Sequence, residues 1–485
     1  MTDHFSIRDT VPAHTHADNT VTMTSDVPCH LWLRWTHVPP RIHRQPVLKR
    51  GLWKNDDVRF CFDVYQDLEQ DEPGDTTEHT FTFSPCVDCF SFWYYTWGYI
   101  NGVLSPSTSV IFHYPDLGNC PSLPFGTIIG EIDQLEFDPV TGTVPYLLCV
   151  APTTYAVAYQ GPGNDGWLKT LQVLPDGTIT GTISQLEFDP VYGRMPSLCH
   201  VYGDVFAIAY STVAGQGKVI TVSITTDGII GPVITSWIYE PGDKSNHPQI
   251  HHVSGSTYCI WYTGPASVGW MSTITISDDG VIGPYIASGI FDPVYAANPC
   301  PRHISGSVWA CAYQTGGISG PGRLVTLTIS AAGAISPIID TRDFEPAYGY
   351  RPDLFHVSGS IYGIAYRGPA LDGWLRTIPI SPLGNIGAEI NQLEFDPVQG
   401  DYCSATPVGA DIWVIAYQGP DYDGWMKTIR IQPNGVITGE IDSYEYDPEL
   451  AYWPHIIHVD GNTYALAYRG PGSDGWLKTI GIISP

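Results

Sequence analysis

Two short landmarks recur seven times each along this chain. The first is "FDP" or a close variant, whose proline stands at Pro139, Pro190, Pro241, Pro293, Pro346, Pro397 and Pro448. The second is a tyrosine that closes an apolar run, at Tyr159, Tyr210, Tyr262, Tyr313, Tyr366, Tyr417 and Tyr468. Members of each series lie 51 to 53 residues apart. A period of this length constrains a chain strongly. One unit is too small to bury its own apolar faces, so its neighbours must stack upon it.

A unit of that size holds four short strands, which is one blade of a β-propeller. The fifth unit reads "RPDLFHV", "IYGIAY", "WLRTIPI" and "IGAEINQLEF", from Arg351 to Phe395, with turn residues between the strands. Alternation in "YAVAY" places Tyr155, Val157 and Tyr159 on one face and Ala156 and Ala158 on the other, as a bulky face meeting a small one requires. The repeats open on a fourth strand, near Ile128 to Phe137, and close on a third, Trp476 to Ile482. Pairing the two completes a seventh blade and removes two sheet edges. The expected fold is therefore all-β, with a seven-bladed propeller over 126–485.

The segment before the ring differs. "HLWLRWTHVPP", "DDVRFCFDVYQDLEQ", "EHTFTF" and "CFSFWYYTWGYINGVLSPSTSVIF" alternate like sandwich strands. Their order, with a Trp-bearing early strand and a Tyr-rich late one, resembles a fibronectin type III domain over 21–113. Residues 1–20 read as an extended arm and 114–125 as a linker.

Composition narrows the partners. The 22 Lys+Arg stand against 49 Asp+Glu, a net charge of -27. Nucleic acid and anionic membranes need a basic face, so neither is an expected partner. The first residues contain no apolar run of the kind a secretory signal has. Of the 11 Cys, six fall in the repeats at positions that vary between units, which is the pattern of buried thiols and not of a shared disulfide frame. "CVDC" at Cys86 and Cys89 has no second CxxC to complete a zinc site. No cofactor is expected.

The long connections of a blade, strand two to three and strand four to the next blade, fall on one face of the ring. There the phrase "GPxxDGW" stands intact in units one, five, six and seven, with "GPGNDGWLKT" from Gly161 as its first copy. It supplies the candidate ligand residues Gln160, Asp165 and Trp167; Arg367, Asp372 and Trp374; Gln418, Asp423 and Trp425; and Arg469, Asp474 and Trp476, with Asp189 beside the first set. An aromatic plate with carboxylates and an amide suits sugar hydroxyls and the apolar face of a sugar ring. In the competing reading the phrase is scaffold, its Asp only making a turn and its Trp only filling a gap between blades. Units two and four lack the Trp, and unit three has Val268 in place of the Asp. A histidine recurs on strand one at His200, His252, His303, His356 and His458, and each is expected to bond a neighbour across a blade interface and to hold no metal.

The repeat resembles the blades of tectonin-type and related seven-bladed lectins and, more distantly, sialidase propellers. "DGWLKT" is similar to the sialidase Asp-box but lacks its spacing. Sialidase chemistry implies three arginines converging on a carboxylate, whereas Arg194, Arg302, Arg351, Arg367 and Arg469 share no single repeat position. The expectation is a non-enzymatic protein of a virion surface, a phage tail or capsid appendage, or an extracellular one. Its propeller would bind a surface glycan or protein receptor, and its arm and sandwich would attach to other structural proteins. The alternatives are a microbial lectin or adhesin and, less favoured, a glycoside-acting enzyme.

Overall fold

A computed structural model describes residues 123–485, save 243 and 318, and before them only strand segments between Ile7 and Phe112. Most of the expected arm, sandwich and linker lies outside the described residues. The chain divides into two compact units, Met1–Ser122 and Leu123–Pro485.

The second unit is a ring of seven four-stranded antiparallel sheets, in each of which the strands follow one another from the channel outward. The exception to sequence order is the expected one. Ile128–Asp138 forms the outer strand of the seventh blade, paired with Gly475–Ile482 in a register that runs from Gly475 opposite Asp138 to Ile482 opposite Ile128.

Alternation in strand two decides how blades stack. Tyr155, Val157 and Tyr159 of blade one pack against Ala465 and Ala467 of blade seven. Ala156 and Ala158, on the opposite face, receive Phe206, Ile208 and Tyr210 of blade two. Each fully buried large apolar side chain contributes roughly 1.5–3 kcal/mol, so the interfaces between blades are the core.

Two rings of hydrogen bonds register the blades. The hydroxyl of each tyrosine in the landmark series donates to the acid that ends the preceding blade's outer strand. These pairs are Tyr159–Asp138, Tyr210–Asp189, Tyr262–Glu240, Tyr313–Asp292, Tyr366–Glu345, Tyr417–Asp396 and Tyr468–Asp447, at 2.7 to 3.1 Å. Nearer the opposite face, a strand-three threonine of each blade donates to a turn glycine carbonyl of the next. Thr170–Gly228, Thr221–Gly280, Thr273–Gly333, Thr326–Gly384, Thr377–Gly435, Thr428–Gly126 and Thr479–Gly177 span 2.5 to 2.7 Å.

The outer strand of blade five is shorter than its pattern predicts. It covers Asn391–Asp396, with an isolated bridge from Ile380 to Ile386. Blade four shows the same break, with Asp340–Glu345 and a bridge from Ile329 to Ile335, and it carries Thr328 where blade five has Pro379, so the missing proline N–H is not the common cause.

The two long connections do share a face, and they are tied together there. The corner entering a blade donates a backbone N–H to the preceding blade's two-to-three loop: Gly142 to Ser473, Gly193 to Asn164, Ala296 to Ser267, Gly400 to Leu371 and Ala451 to Tyr422, at 2.8 to 2.9 Å.

Candidate functional site at the channel mouth

The repeated phrase is built into the scaffold. Its first glycine lies under the indole: a Cβ on Gly161, Gly368, Gly419 or Gly470 would stand 2.3 to 2.4 Å from Cδ1 of Trp167, Trp374, Trp425 or Trp476. Its second glycine lies under the aromatic ring of the "FDP" corner, with a Cβ on Gly166 falling 2.2 Å from Phe188. The four indoles are half-buried against the interface cores, and their Nε1–H groups have no acceptor among the described residues. Asp372 is buried and accepts from the Ala370 N–H. Asp165, Asp423 and Asp474 each lie beside an outer-strand glutamate. Burial and then the neighbouring aspartate raise the carboxyls of Glu187, Glu445 and Glu136 above the usual range. Gln160 donates to Asn164, and buried Gln418 donates to the Ala451 carbonyl. Asp189 is taken up by Tyr210 and by the N–H groups of Val191 and Tyr192. The four copies line an arc and do not converge. Two of the twelve candidates, Arg367 and Arg469, turn toward the channel mouth.

The mouth has a feature that sequence patterning passes over. The second residue of every innermost strand holds a left-handed backbone: Val144, Met195, His247, Asn298, Arg351, Tyr402 and Trp453 have φ between 48° and 55°. A non-glycine residue there costs roughly 1–3 kcal/mol, and such strain gathers at functional sites. In six cases a proline follows, which further restricts the backbone. The seven side chains are all different. The "x-Pro" at the start of strand one in six blades was the signal available in the sequence.

A cleft of ≈ 290 Å³ opens beside this ring across blades three to five. Lys244, His247, Asn298, Gln314, Tyr350 and Arg367 are among its walls. At its lip the guanidinium groups of Arg351 and Arg367 meet on one carboxylate, that of Asp401, at 3.1 and 2.9 Å. Asp401 is 4% exposed. The arginines thus come from two different repeat positions, which is why a search for a shared position separates them. Arg351 stacks on Tyr402 at 3.6 Å and on Tyr350 at 4.4 Å. Burial, then Arg351, Arg194 and Lys244, hold the His247 imidazole down to about 3, so it is neutral at physiological pH. The hydroxyl of Thr263, a residue 4% exposed in the cleft wall, has no partner among the described residues.

Deeper in the channel Arg302 pairs with Asp353 at 3.2 Å. Burial and Arg302 hold His251 and His455 neutral, at about 3 and about 4. The recurring strand-one histidines sit at the other end of the channel. His200, His252, His303, His356 and His458 each bond the glycine carbonyl three residues on, at 2.8 to 3.0 Å. Their partner is their own hairpin turn and not a neighbouring blade, because the tight turn brings that carbonyl under the ring. Among the described residues no group of three or more His, Cys, Asp or Glu could hold a metal ion.

No family model and no curated protein matches the chain. Solved structures do. The periplasmic gluconolactonase of Pseudomonas aeruginosa is similar with a TM-score of 0.48 at 17% identity, over 63% of this chain and 86% of its own. A putative 6-phosphogluconolactonase of Bacteroides fragilis reaches 0.46 at 13% identity, over 73% and 91%. Sqt1 of Saccharomyces cerevisiae reaches 0.46 at 9% identity, over 73% and 99%. The likeness is one of fold. These matches nonetheless correct the expectation of a non-enzymatic virion or cell-surface protein: the rings that this one is similar to include two described as lactonases, so the fold is no ground for ruling catalysis out.

Proposed function

We propose that the propeller is an enzyme whose reaction centre is the channel mouth and whose substrate is a small, ring-bearing anion. One observation carries this reading: two arginines share a single carboxylate at the lip of a cleft that also holds a neutral imidazole. In a chain of net charge -27, this leaves a local surplus of positive charge where an anion can be held.

The chemistry that fits is hydrolysis of a carbon–oxygen ester bond. His247 takes a proton from the attacking water, Lys244 and Asn298 face the charge that grows on the carbonyl oxygen, and the proton then passes to the leaving oxygen, which restores the imidazole. In the free protein burial, and then its cationic neighbours, make His247 a weak base. An anion among those cations offsets their share of the shift and raises its proton affinity, so the substrate would tune its own base.

The test is an NMR titration of the His247 ring with and without inorganic phosphate or galacturonate. The expected result is an upward shift of its pKa on binding, lost in Arg367→Gln. An unchanged titration with every small anion tried would overturn the reading.

A further inference from the structure

Beyond the cleft, cations and aromatic rings alternate along the mouth from blade five to blade seven. Arg367 lies over Tyr348 and Tyr350 at 5.5 and 5.4 Å. Arg351 lies between Tyr350 and Tyr402. Tyr402 meets Trp453 at 5.0 Å and Tyr452 at 5.5 Å. Arg469 lies over Tyr452 at 5.1 Å and over Trp453 at 5.8 Å. The strip ends in Tyr422, 53% exposed and stacked on Tyr452.

This strip has more donors than acceptors. Asp401 serves two of its three arginines, and the third, Arg469, donates to the Ser473 hydroxyl at 2.8 Å, with no carboxylate paired to it among the described residues. The Nε–H groups of all three arginines and the Nε1–H of Trp453 have no acceptor among the described residues. Packing alone does not call for such a composition, and blades one and two place Val144 and Met195 at the corresponding strained positions.

We infer that the strip is an extension subsite, and that the substrate is a short chain of cyclic acids, a uronic acid oligomer, laid from the cleft across blades five to seven. This rests on the reading of the mouth as an anion site. Guanidinium forks match carboxylates bidentately, and single aromatic faces suit the apolar face of a sugar ring. A nucleotide chain fits less well. Tyr402 stands at 76° to Tyr452 and at 71° to Trp453, so no base fits flat between these rings, and the near-parallel rings, Tyr422 with Tyr452 and Tyr348 with Tyr350, are stacked on each other at 6.2 and 5.9 Å.

Calorimetric titration of the full chain with galacturonate, trigalacturonate and a trithymidylate tests this. Trigalacturonate should bind about tenfold or more tighter than the monomer, which corresponds to one added stacked ring with its ionic contact. Trp453→Gly, which accepts the left-handed backbone, and Arg469→Gln should each remove that advantage and leave monomer binding unchanged. Equal affinity for monomer and trimer would overturn the extension subsite while the anion site stood. Preference for trithymidylate would overturn the ligand class. Binding of none of the three would overturn both readings. Should Trp453→Gly fail to fold, Arg469→Gln alone decides.

Discussion

The Tyr159 hydroxyl donates to Asp138 at 2.7 Å, across the interface between blades one and seven. The other oxygen of Asp138 accepts from the N–H groups of Val140 and Thr141, both at 3.0 Å. One acid therefore shapes the corner and locks it to the next blade. Tyr159→Phe should cost about 1.5–3 kcal/mol in urea unfolding, the range for a hydrogen bond to a charged group. Tyr468→Phe, at the equivalent contact with Asp447, should cost the same within error. A loss confined to one of the two would mean that the ring of contacts is not equivalent.

The indole and its glycine should behave as one unit. Gly419→Ala drives a methyl against Trp425, and Trp425→Ala empties a half-buried site, each expected to cost about 2–4 kcal/mol. The double variant should cost clearly less than the sum, because the clash disappears with the ring. Additive losses in a double-mutant cycle would contradict the packing.

Acid should destabilise the ring through its neutral histidines. His247, His251 and His455 have folded values of about 3, about 3 and about 4, below the unfolded value near 6.5. Unfolding then takes up protons, so stability is full above pH ~6.5 and falls as pH drops toward the folded values, by up to about 1.4 kcal/mol per pH unit for each histidine. Glu136 and Glu187, raised by burial and a neighbouring aspartate, act with the opposite sign at lower pH. Between pH 5 and 6.5 the slope of unfolding free energy should be shallower in His251→Phe than in the native chain. An equal slope would show that His251 protonates in the folded state.

The strained ring should tolerate glycine. Val144→Gly removes a left-handed β-branched residue, and the backbone relief of about 1 kcal/mol or more should offset much of the lost apolar contact. Val157→Gly, in strand two of the same blade, has no such relief and should lose several times more stability in the same assay.

Blade number, blade order and closure were legible because packing repeats: Tyr159 and Asp138 recur in type at every interface, so their spacing exposes the period. The outer strand of blade five was misjudged over Ile386–Ile390, where the ladder is reduced to one bridge from Ile380 to Ile386, as it is in blade four between Ile329 and Ile335. The mouth was hardest to see. Arg351 and Asp401 occur at positions where other blades carry unrelated residues, and Arg367 at one where only blade seven, with Arg469, also has an arginine, so a search for what all the units share discards them. The same logic drew attention to the phrase at Trp167, whose indole packs on Gly161. The two candidates that do reach the mouth, Arg367 and Arg469, follow the last tyrosine of strand two, where the repeat varies.

The seam between Ile128–Asp138 and Gly475–Ile482 has a consequence for synthesis. Thr479 bonds the Asp133 carbonyl, 346 positions earlier. On the ribosome, the first of these strands must wait with both edges open while six complete blades are made. Loop closure over such a span is slow relative to hairpin formation. The nascent ring is therefore most vulnerable to misassembly with a second nascent copy, whose own waiting strand could fill the same gap. Conditions that slow translation should lengthen that exposure, and a chaperone that masks a lone strand edge should matter more to this chain than its final stability would indicate.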